Sequence, residues 1–420
     1  MKLLVLSNGH GEDVIAIRII ERLQQNTSEL EVAALPIVGQ GFAYQRLKIP
    51  LIGRVQQMPS GGFIYMGGNP LWQDLRGGLV QLTLEQLRLV RQWGRAGGMI
   101  LAVGDIVPLL FAWLSRANYA FVGTAKSEYY LRDEVGWLPS TSWWERQFNS
   151  VYLPWERWLM SRSRCKAVFP RDNLTTKVLQ RLPVGLGMKA TARRLTSSIP
   201  AYDLGNPMMD NLSTKSQPRA AEELNVLLLP GSRMPEALRN WQRMLVAVWS
   251  VIQTCSPAKL QFSAAIAPGL DLKPFTIYSV TQGWRIKQNQ SSTVTLTQNN
   301  HNLILTQERN QEFFKMTDVA IAMAGTATEQ FVGLGKPVIT FPGSGPQFTY
   351  AFAEAQSRLL GCSIILVSSP DQVGKAIADV IGDEQLLQQI SLNGKQRMGE
   401  TGAASRIAEC LQKTLLLPEY

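Results

Sequence analysis

The residues best suited to acid–base chemistry follow two predicted strands. His10 stands between two glycines in the segment Ser7–Asp13, directly after the predicted strand Lys2–Leu6. Histidine has the ordinary side-chain pKa closest to neutral, and flanking glycines let a ligand approach the backbone closely, so His10 is a candidate general base. Asp105 follows the predicted strand Met99–Val103 and is a second candidate base. An aspartate at this position is equally suited to capping the helix that follows it.

The other residues of the first polar segment admit two interpretations. Glu12 and Asp13 could orient the His10 imidazole, but they are also the acids that the helix dipole favours in a first turn. The segment reads Ser-Asn-Gly-His-Gly-Glu-Asp, which is not the G-x-G-x-x-G pattern of dinucleotide-binding folds. The segment therefore carries no dinucleotide fingerprint.

The second half of the chain carries a turn typical of phosphate sites. In Leu229-Pro-Gly-Ser-Arg233, Gly231 and Ser232 precede a helix predicted from Pro235. Backbone N–H groups at such a turn can bind a phosphate, and Arg233 could add a bidentate contact. The alternative is a surface turn with a solvated arginine.

Two further loops in this half could hold a polar ligand. Small residues open a predicted helix and would let a ligand reach its N-terminus: Gly325, Thr326 and Ala327. One turn later, Glu329 and Gln330 could accept hydrogen bonds from sugar hydroxyls, although Thr326 or Thr328 could simply cap the helix. Gln347 lies in the Gly/Pro-rich segment Phe341–Phe348 and could bind the same ligand.

The elements that must position these loops alternate between strand and helix in both halves of the chain. With 420 residues, of which 45% are apolar, the chain is long enough for two domains with full cores. The polar segment Asn211–Ala220 predicts a linker between an N-terminal domain at 1–212 and a C-terminal domain at 221–400. We predict an α/β protein with two doubly wound, Rossmann-like domains facing a cleft, with ligands at the carboxyl ends of the strands.

Residue counts exclude several classes of protein. There are two histidines and four widely separated cysteines, so neither a His/Cys metal centre nor a disulfide framework is expected. The N-terminus turns polar after six residues, and no run of about 18 apolar residues occurs, so we predict neither a signal peptide nor a membrane-spanning helix. These patterns favour a cytoplasmic protein.

The positive charge is concentrated in one stretch. The chain carries 42 Lys+Arg against 32 Asp+Glu, and ten basic residues against two acids lie between Glu156 and Arg194, so +8 of the net +10 falls there. Tryptophans precede and open this stretch, and with two of its arginines they form a predicted membrane patch: Trp143, Trp144, Trp155, Trp158, Arg162 and Arg164. A solvated face over core tryptophans is the alternative. Because aromatic and basic residues are segregated, a nucleic-acid surface is disfavoured.

Four segments carry a resemblance to a known family. Leu227-Leu-Leu-Pro-Gly-Ser-Arg233, Val103-Gly-Asp105, Ala324-Gly-Thr-Ala327 and Gly205-Asn-Pro-Met-Met-Asp210 resemble motifs of lipid-A-disaccharide synthase and of the lipid-A-disaccharide synthase-related proteins. These are GT-B glycosyltransferases, and the resemblance extends thinly over most of the chain. The second half is also similar to the peptidoglycan N-acetylglucosaminyltransferase and to diacylglycerol glycosyltransferases, on Gly325-Thr326-x-x-Glu329 and on Gln347.

The resemblance implies a metal-independent inverting hexosyltransferase of GT-B fold. It implies a UDP-sugar donor in the second domain, no other cofactor, and a lipid-linked acceptor in the first domain at the inner face of the membrane. A C-terminal helix at about 402–420 would pack back on the first domain. By this resemblance Gln347 lies near the donor sugar, and the acceptor loop comprises Asn8, Gly9, Gly11, Glu12 and Asn206.

The sequence departs from the family pattern at three places. Asn206 stands where the family has histidine, the first loop differs from the synthase's GEASGD-like loop, and an ungapped match puts Gln330, not Glu329, at the acidic position. The base therefore stays open between His10 and Asp105, and the ribose contact between Glu329 and Gln330. A hydrolysing UDP-sugar epimerase of the same fold and a basic nucleic-acid-binding protein are the alternative functions, and the oligomeric state is not indicated.

Overall fold

The computed structural model describes residues 1–27, 29–53, 79–181, 198–212, 223–255, 259–308, 310–345 and 347–416. The chain forms two compact units, which we call unit 1 (Met1–Asp210 with Glu400–Tyr420) and unit 2 (Asn211–Gly399). Most of the predicted linker Asn211–Ala220 lies outside the described residues.

Thirteen strands occur in the described part of the chain. They are β1 (Lys2–Ser7), β2 (Glu31–Pro36), β3 (Met99–Gly104), β4 (Tyr119–Gly123), β5 (Cys165–Phe169), β6 (Glu223–Leu229), β7 (Lys259–Ala265), β8 (Arg285–Asn289), β9 (Thr293–Gln298), β10 (His301–Thr306), β11 (Val319–Ala322), β12 (Val338–Thr340) and β13 (Ile364–Leu366).

The described part of the chain also contains fifteen α-helices. They are α1 (His10–Asn26), α2 (Phe42–Arg46), α3 (Leu79–Arg95), α4 (Ile106–Leu114), α5 (Trp143–Phe148), α6 (Pro154–Met160), α7 (Asn173–Arg181), α8 (Glu236–Thr254), α9 (Leu272–Thr281), α10 (Asn310–Met316), α11 (Thr326–Gly333), α12 (Tyr350–Leu360), α13 (Val373–Gly382), α14 (Glu384–Met398) and α15 (Ala403–Leu411).

Unit 1 contains one fully parallel sheet of five strands in the order β2-β1-β3-β4-β5. The strands are continuous apolar runs, such as Leu3–Leu6 in β1, because helices cover both faces of the sheet. Strand order reverses between β1 and β3, where Ser7 pairs with Val103. In doubly wound folds ligands bind at such a switch point, at the carboxyl ends of the strands.

Unit 2 contains an eight-stranded sheet in the order β13-β12-β11-β6-β7-β10-β9-β8. Six of these strands are parallel in the Rossmann order, with the reversal between β6 and β11, and β8 and β9 add an antiparallel edge. The predicted α/β class with two doubly wound parallel sheets is confirmed, with this antiparallel edge as an addition.

Several elements of unit 2 are absent from the sequence-based prediction. All five residues of β8 are exposed, so its sequence RIKQN has none of the alternation that marks a half-buried strand. The helix α14 carries only three buried residues in fifteen, and its polar sequence resembles a loop. In both cases neighbouring elements, rather than a strong local pattern, determine the structure.

The last helix of the chain belongs to unit 1 and is capped by an aspartate from the middle of the sequence. Asp210 Oδ1 accepts from the backbone N–H groups of Gly402 (2.6 Å) and Ala403 (2.9 Å), and its Oδ2 accepts from that of Ala404 (2.7 Å). The helix that they open, α15, packs on α1. A guanidinium N–H of Arg18, on α1, donates to the Pro207 carbonyl at 2.5 Å. Within the described residues no helix has the length and apolarity needed to cross a bilayer.

Asp210→Ala should destabilise unit 1 through this cap. Three N–H groups would lose a charged acceptor, and hydrogen bonds to charged groups contribute about 1.5–3 kcal/mol, so we expect unfolding to become easier by about that amount. Thermal unfolding and amide exchange across residues 400–416 would measure the loss. Asp379→Ala, at an exposed helical position, is the control. Unchanged exchange at the start of α15 in the Asp210 variant would contradict the capping role.

Candidate functional site

Polar side chains of unit 1 gather at the carboxyl ends of β1, β3 and β4. Asp105 directly follows β3 and is the N-cap of α4, where its Oδ1 accepts from the Val107 N–H at 2.9 Å. Asn8 directly follows β1, and its side chain is close enough to the Asp105 carboxylate to lower the pKa of that group. The structure therefore brings together two predicted site residues, Asn8 and Asp105, at the switch point of the first sheet.

The backbone at this point requires a glycine. Gly104 has φ +137°, a conformation that side chains rarely adopt, and a Cβ there would overlap Asn8 Oδ1. Asn8 Oδ1 itself is buried and has no hydrogen-bond partner among the described residues. A buried polar atom without a partner is unusual in a native protein and is more frequent at functional sites.

The surroundings of Asp105 both raise and lower the pKa of its carboxyl group. Burial raises the pKa of the Asp105 carboxyl above its ordinary value, while hydrogen bonds from Val107 and Asn8 and the charge of Lys126 lower it. Lys126 also pairs with the buried Glu156 at 2.5 Å. The balance leaves Asp105 with a raised pKa, which increases its basicity as a carboxylate.

His10 lies at the start of α1 rather than in a loop before it. The helix begins at His10, with Gly9 as N-cap, and the Asp13 N–H closes the first turn on the Gly9 carbonyl at 2.9 Å. The His10 side chain is exposed, while Gly11 and Glu12 are half-buried. Glu12 Oε1 accepts from Thr124 Oγ1 at 3.3 Å, so it is held towards the end of β4.

A chain of buried hydroxyl groups lies beside this turn and was not predicted. Tyr44 donates to Ser7 Oγ at 2.7 Å, and Ser7 donates to Asp13 Oδ1 at 2.6 Å. Asp13 is only 2% exposed, and burial raises its pKa from 3.8 to about 6 despite the Ser7 hydrogen bond. The sequence placed Asp13 in a first turn, but Tyr44 comes from α2, and no local pattern indicates that they meet.

In unit 2, the predicted phosphate turn lies at the carboxyl end of β6. Gly231 has φ +101°, so the turn needs a residue without a side chain, and Ser232 and Arg233 are exposed. The helix α8 begins at Glu236, directly after this turn. β6 and β11 are neighbours, so this turn and the next loop lie side by side at the switch point of the second sheet.

The loop after β11 leads directly into α11. The N-cap of α11 is Gly325, Thr326 is exposed, and Ala327 is half-buried. The predicted capping role of Thr326 or Thr328 is therefore wrong, since the Thr328 hydroxyl donates backwards to the Ala324 carbonyl at 2.7 Å. Glu329 and Gln330 are both half-buried, so burial does not distinguish between them as a ribose contact.

The loop after β12 lies next to these two. Gln347 has an exposed side chain, while its backbone N–H donates to Glu236 Oε1 at 3.1 Å. Gln356, on α12, donates from Nε2 to the Ala324 carbonyl at 3.0 Å. The predicted donor residues thus lie on three neighbouring loops at the carboxyl edge of one sheet.

Asn206 has a structural position. It is 4% exposed, and its Oδ1 accepts from the Met208 N–H at 3.0 Å, opening the short helical turn Pro207–Met209. This turn leads directly to Asp210, the cap of α15. We correct the assignment of Asn206 to the acceptor loop: its side chain shapes the segment that holds the last helix.

The predicted membrane patch divides into exposed and packed residues. Trp143, Trp144 and Trp155 are 58%, 61% and 50% exposed, and the first two stack at 3.6 Å on α5, whose six residues are all exposed. Trp158 is half-buried against the core, 5.3 Å from Trp113, with the Arg162 guanidinium 4.4 Å above its ring. Trp158 and Arg162 therefore belong to a packed cluster rather than to the patch.

The basic stretch is not one solvated face. Arg157 and Arg171 are buried, and each donates to a backbone carbonyl, that of Phe148 and of Thr124 respectively. Arg164 is half-buried, with a buried guanidinium nitrogen. Three members of the stretch lie outside the described residues: Lys189, Arg193 and Arg194. We correct the interpretation of the +8 charge as a continuous membrane face.

The part of the chain that is described holds no group of three or more His, Cys, Asp or Glu side chains placed to bind a metal ion.

Comparison with solved structures finds chains of the same fold. The chain is similar to a putative UDP-N-acetylglucosamine 2-epimerase from Listeria monocytogenes, at 14% identity and TM-score 0.56, over 100% of this chain and 97% of that one. It is similar to MurG from Acinetobacter baumannii, at 15% identity and TM-score 0.56, over 98% and 99%. MnaA from S. aureus, solved with UDP, matches at 13% identity and TM-score 0.57, over 99% and 97%.

These likenesses establish the fold, which is GT-B. At the level of sequence, no model of a protein family and no curated protein matches this chain. The predicted GT-B class is thus confirmed from structure, while the closer resemblance to lipid-A-disaccharide synthase rests on the sequence motifs alone.

Asp13→Asn should change how stability depends on pH. Because the folded state raises this pKa, it holds an extra proton between pH 3.8 and about 6, so the wild-type free energy of unfolding falls as pH rises through that window. A shift of about two pKa units corresponds to a fall of about 3 kcal/mol in the wild-type free energy of unfolding across this window. The asparagine variant has no carboxyl group at this position, so its free energy of unfolding should not show that fall. Thermal unfolding from pH 4 to 7, with Asp379→Asn as control, would measure it. Parallel pH curves for wild type and Asp13→Asn would disprove the shift.

Proposed function

We propose that this protein is a hexosyltransferase that moves a sugar from a UDP-sugar to a lipid-linked acceptor, with inversion and without a metal or other cofactor. The observation that carries the proposal is the position of the predicted residues. Asn8 and Asp105 lie at the switch point of the first sheet, and the loops at Gly231 and Gly325 lie at the switch point of the second. Ligands of doubly wound folds bind at these points. The motifs shared with lipid-A-disaccharide synthase and its related proteins supply the choice of donor and acceptor class.

Unit 2 is suited to the donor. The turn at Gly231 and Ser232 leads into α8, and the loop at Gly325 leads into α11, so two helix N-termini lie at neighbouring strand ends. Helix N-termini carry unpaired N–H groups and a partial positive charge, both of which favour a diphosphate. Arg233 adds a full charge beside the first of them. Gln347 and either Glu329 or Gln330 would contact the sugar and the ribose.

The proposed chemistry is an inverting displacement at the anomeric carbon. An acceptor hydroxyl attacks the anomeric carbon and gives its proton to the general base, the bond between that carbon and the diphosphate oxygen breaks, and UDP leaves from the opposite face. The transition state resembles an oxocarbenium ion, and the leaving diphosphate gains negative charge. Backbone dipoles and Arg233 are fixed before the reaction, so they stabilise that charge without reorganising.

Unit 1 would supply the base. We assign this role to His10, because one oxygen of the Asp105 carboxylate already caps α4. The imidazole of His10 is exposed at the same edge of the sheet. In this assignment Asp105 caps α4 and lies beside Asn8 at the start of the first loop.

Exposed tryptophans favour a lipid acceptor. Trp143, Trp144 and Trp155 present large amphipathic rings to solvent, and such rings partition to the interface between hydrocarbon and headgroups. This surface supports peripheral attachment at the inner face of the membrane. It replaces the basic stretch as the main support, since part of that charge is buried.

Binding of UDP and turnover of a UDP-sugar test the two halves of the proposal separately. Arg233→Ala should weaken UDP binding about 10- to 100-fold, the effect of losing a charge-assisted contact. His10→Ala should lower kcat about 100- to 10,000-fold while UDP binding stays within a few-fold of wild type, because a general base acts only in the chemical step. Calorimetry with UDP and transfer assays with a panel of UDP-sugars and lipid acceptors provide both measurements.

Three outcomes would overturn parts of this assignment. Equal turnover by His10→Ala, with a large loss in Asp105→Asn, would move the base to Asp105. Formation of an epimer from a UDP-sugar in the absence of any acceptor would replace the transferase with a hydrolysing epimerase. Retention of DNA that falls with salt, together with no stabilisation by UDP, would support a nucleic-acid-binding protein instead.

Removing the exposed indoles should reduce membrane binding. Trp143→Ser combined with Trp144→Ser should lower partitioning to vesicles of anionic lipid by about 10-fold or more, because each ring loses interfacial contact. Trp249→Ser is the matched control, since Trp249 is 47% exposed on unit 2. Sedimentation with phosphatidylglycerol vesicles measures the effect. Equal losses in both variants would show that the patch is not the attachment surface.

A further inference from the structure

Two loops of the predicted donor site are held by side chains of a single helix. Glu236 and Asn240 lie four residues apart on α8, so they occupy the same face one turn apart. They are 6% and 2% exposed. We call this pair the α8 clamp. Neither residue was identified by sequence reasoning.

Glu236 binds the loop that follows β12. Its Oε1 accepts from two consecutive backbone N–H groups, those of Gln347 at 3.1 Å and Phe348 at 2.7 Å. The same loop closes on itself where the Gly343 N–H donates to the Phe348 carbonyl at 2.9 Å. One carboxylate oxygen thus determines the backbone position of the residue that carries the predicted sugar contact.

The contact between Glu236 and this loop is close enough to require a glycine. A Cβ on Gly345 would lie within 2.4–2.6 Å of Glu236 Oε1, Cδ and Cγ. Because these atoms are buried and bonded, they cannot move aside cheaply. Glu236 can therefore occupy this position only because residue 345 has no side chain.

Asn240 extends the clamp to the turn that follows β6. Its Nδ2 donates to the Pro230 carbonyl at 3.0 Å, directly before Gly231. Its Oδ1 would lie 3.2 Å from a Cβ on Gly343, so the same side chain touches the loop after β12. That buried Oδ1 has no hydrogen-bond partner among the described residues. Asn240 therefore lies between the predicted diphosphate turn and the predicted sugar loop.

We propose that the α8 clamp is a positioning device for the donor site, which holds the sugar loop and the diphosphate turn in one fixed arrangement before the donor binds. This inference rests on the proposed function, and it adds residues that do not themselves touch the donor. Pre-organisation of a loop increases affinity because less conformational entropy is lost on binding.

The two residues should have different effects on binding. Glu236 holds the loop of Gln347, so its loss should weaken binding of the sugar part and spare the nucleotide part. Asn240 also holds Pro230, so its loss should weaken both. A residue that only supported the fold would weaken UDP and UDP-sugar by the same factor.

The test compares affinity for UDP and for UDP-N-acetylglucosamine in the full chain. Glu236→Ala should bind UDP-N-acetylglucosamine at least about 10-fold more weakly, with UDP within about 3-fold of wild type. Glu236→Gln keeps an oxygen that can accept both N–H bonds, so it should restore the affinity for the UDP-sugar. Glu384→Ala is the matched control, since Glu384 is also the first residue of a helix but is exposed. Equal losses for both ligands, or no rescue by glutamine, would overturn the clamp.

Amide exchange in the nucleotide-free protein gives a readout that does not depend on the donor. The Gln347 and Phe348 amides should exchange at least about 10-fold faster in Glu236→Ala and at the wild-type rate in Glu236→Gln and Glu384→Ala. If the wild type binds neither nucleotide, the proposed function fails, while exchange still decides whether Glu236 holds the loop. Unchanged exchange in Glu236→Ala would overturn the clamp even if the donor binds.

Discussion

The hydrogen-bonding requirement of parallel strands underlies both candidate sites. A parallel strand needs a crossover connection, and the helix that provides it must return on one face of the sheet. Where strand order reverses, the helices leave towards opposite faces, and the loops at the carboxyl ends separate. β1 with β3, and β6 with β11, are these pairs in the two units. The fold therefore places free helix N-termini beside a crevice before any particular side chain is chosen.

Which side chains meet at these crevices then depends on close contacts between a glycine backbone and a polar side chain. At Gly104 in unit 1 and Gly345 in unit 2, a Cβ would overlap a polar atom of Asn8 or of Glu236. Gly104 ends β3 and meets a residue after β1, while Gly345 lies after β12 and meets a residue after β6. The glycines thus do more than allow turns, because they bring loops from separate parts of the sequence within hydrogen-bond distance of buried amides and carboxylates.

Local pattern was sufficient for the elements that cross the centre of each sheet and insufficient at the edges. The predicted strands Lys2–Leu6 and Met99–Val103 match β1 and β3 of unit 1 to within one residue, because both are continuous apolar runs. β8 was missed, since an exposed edge strand has no buried face to leave an alternating pattern. Among site residues, the strand-end loops were found because glycines and polar residues interrupt apolar runs. Glu236, Asn240 and Tyr44 were missed, because their roles arise from contacts with residues 37 to 112 positions away or with a neighbouring loop.

The charge of the basic stretch also could not be interpreted from the sequence alone. A count along the sequence treats every arginine as equally exposed, yet Arg157 and Arg171 are buried and satisfy backbone carbonyls in unit 1. Buried guanidinium groups of this kind hold loops together, and the charge of Arg157 is offset by the nearby carboxylates of Glu128 and Glu156. The diphosphate of the proposed donor would be bound by local groups, namely the N–H groups at two helix starts and Arg233. A strongly basic composition is therefore neither required by the proposed nucleotide site nor sufficient for membrane attachment, and the exposed indoles on α5 carry that part of the argument.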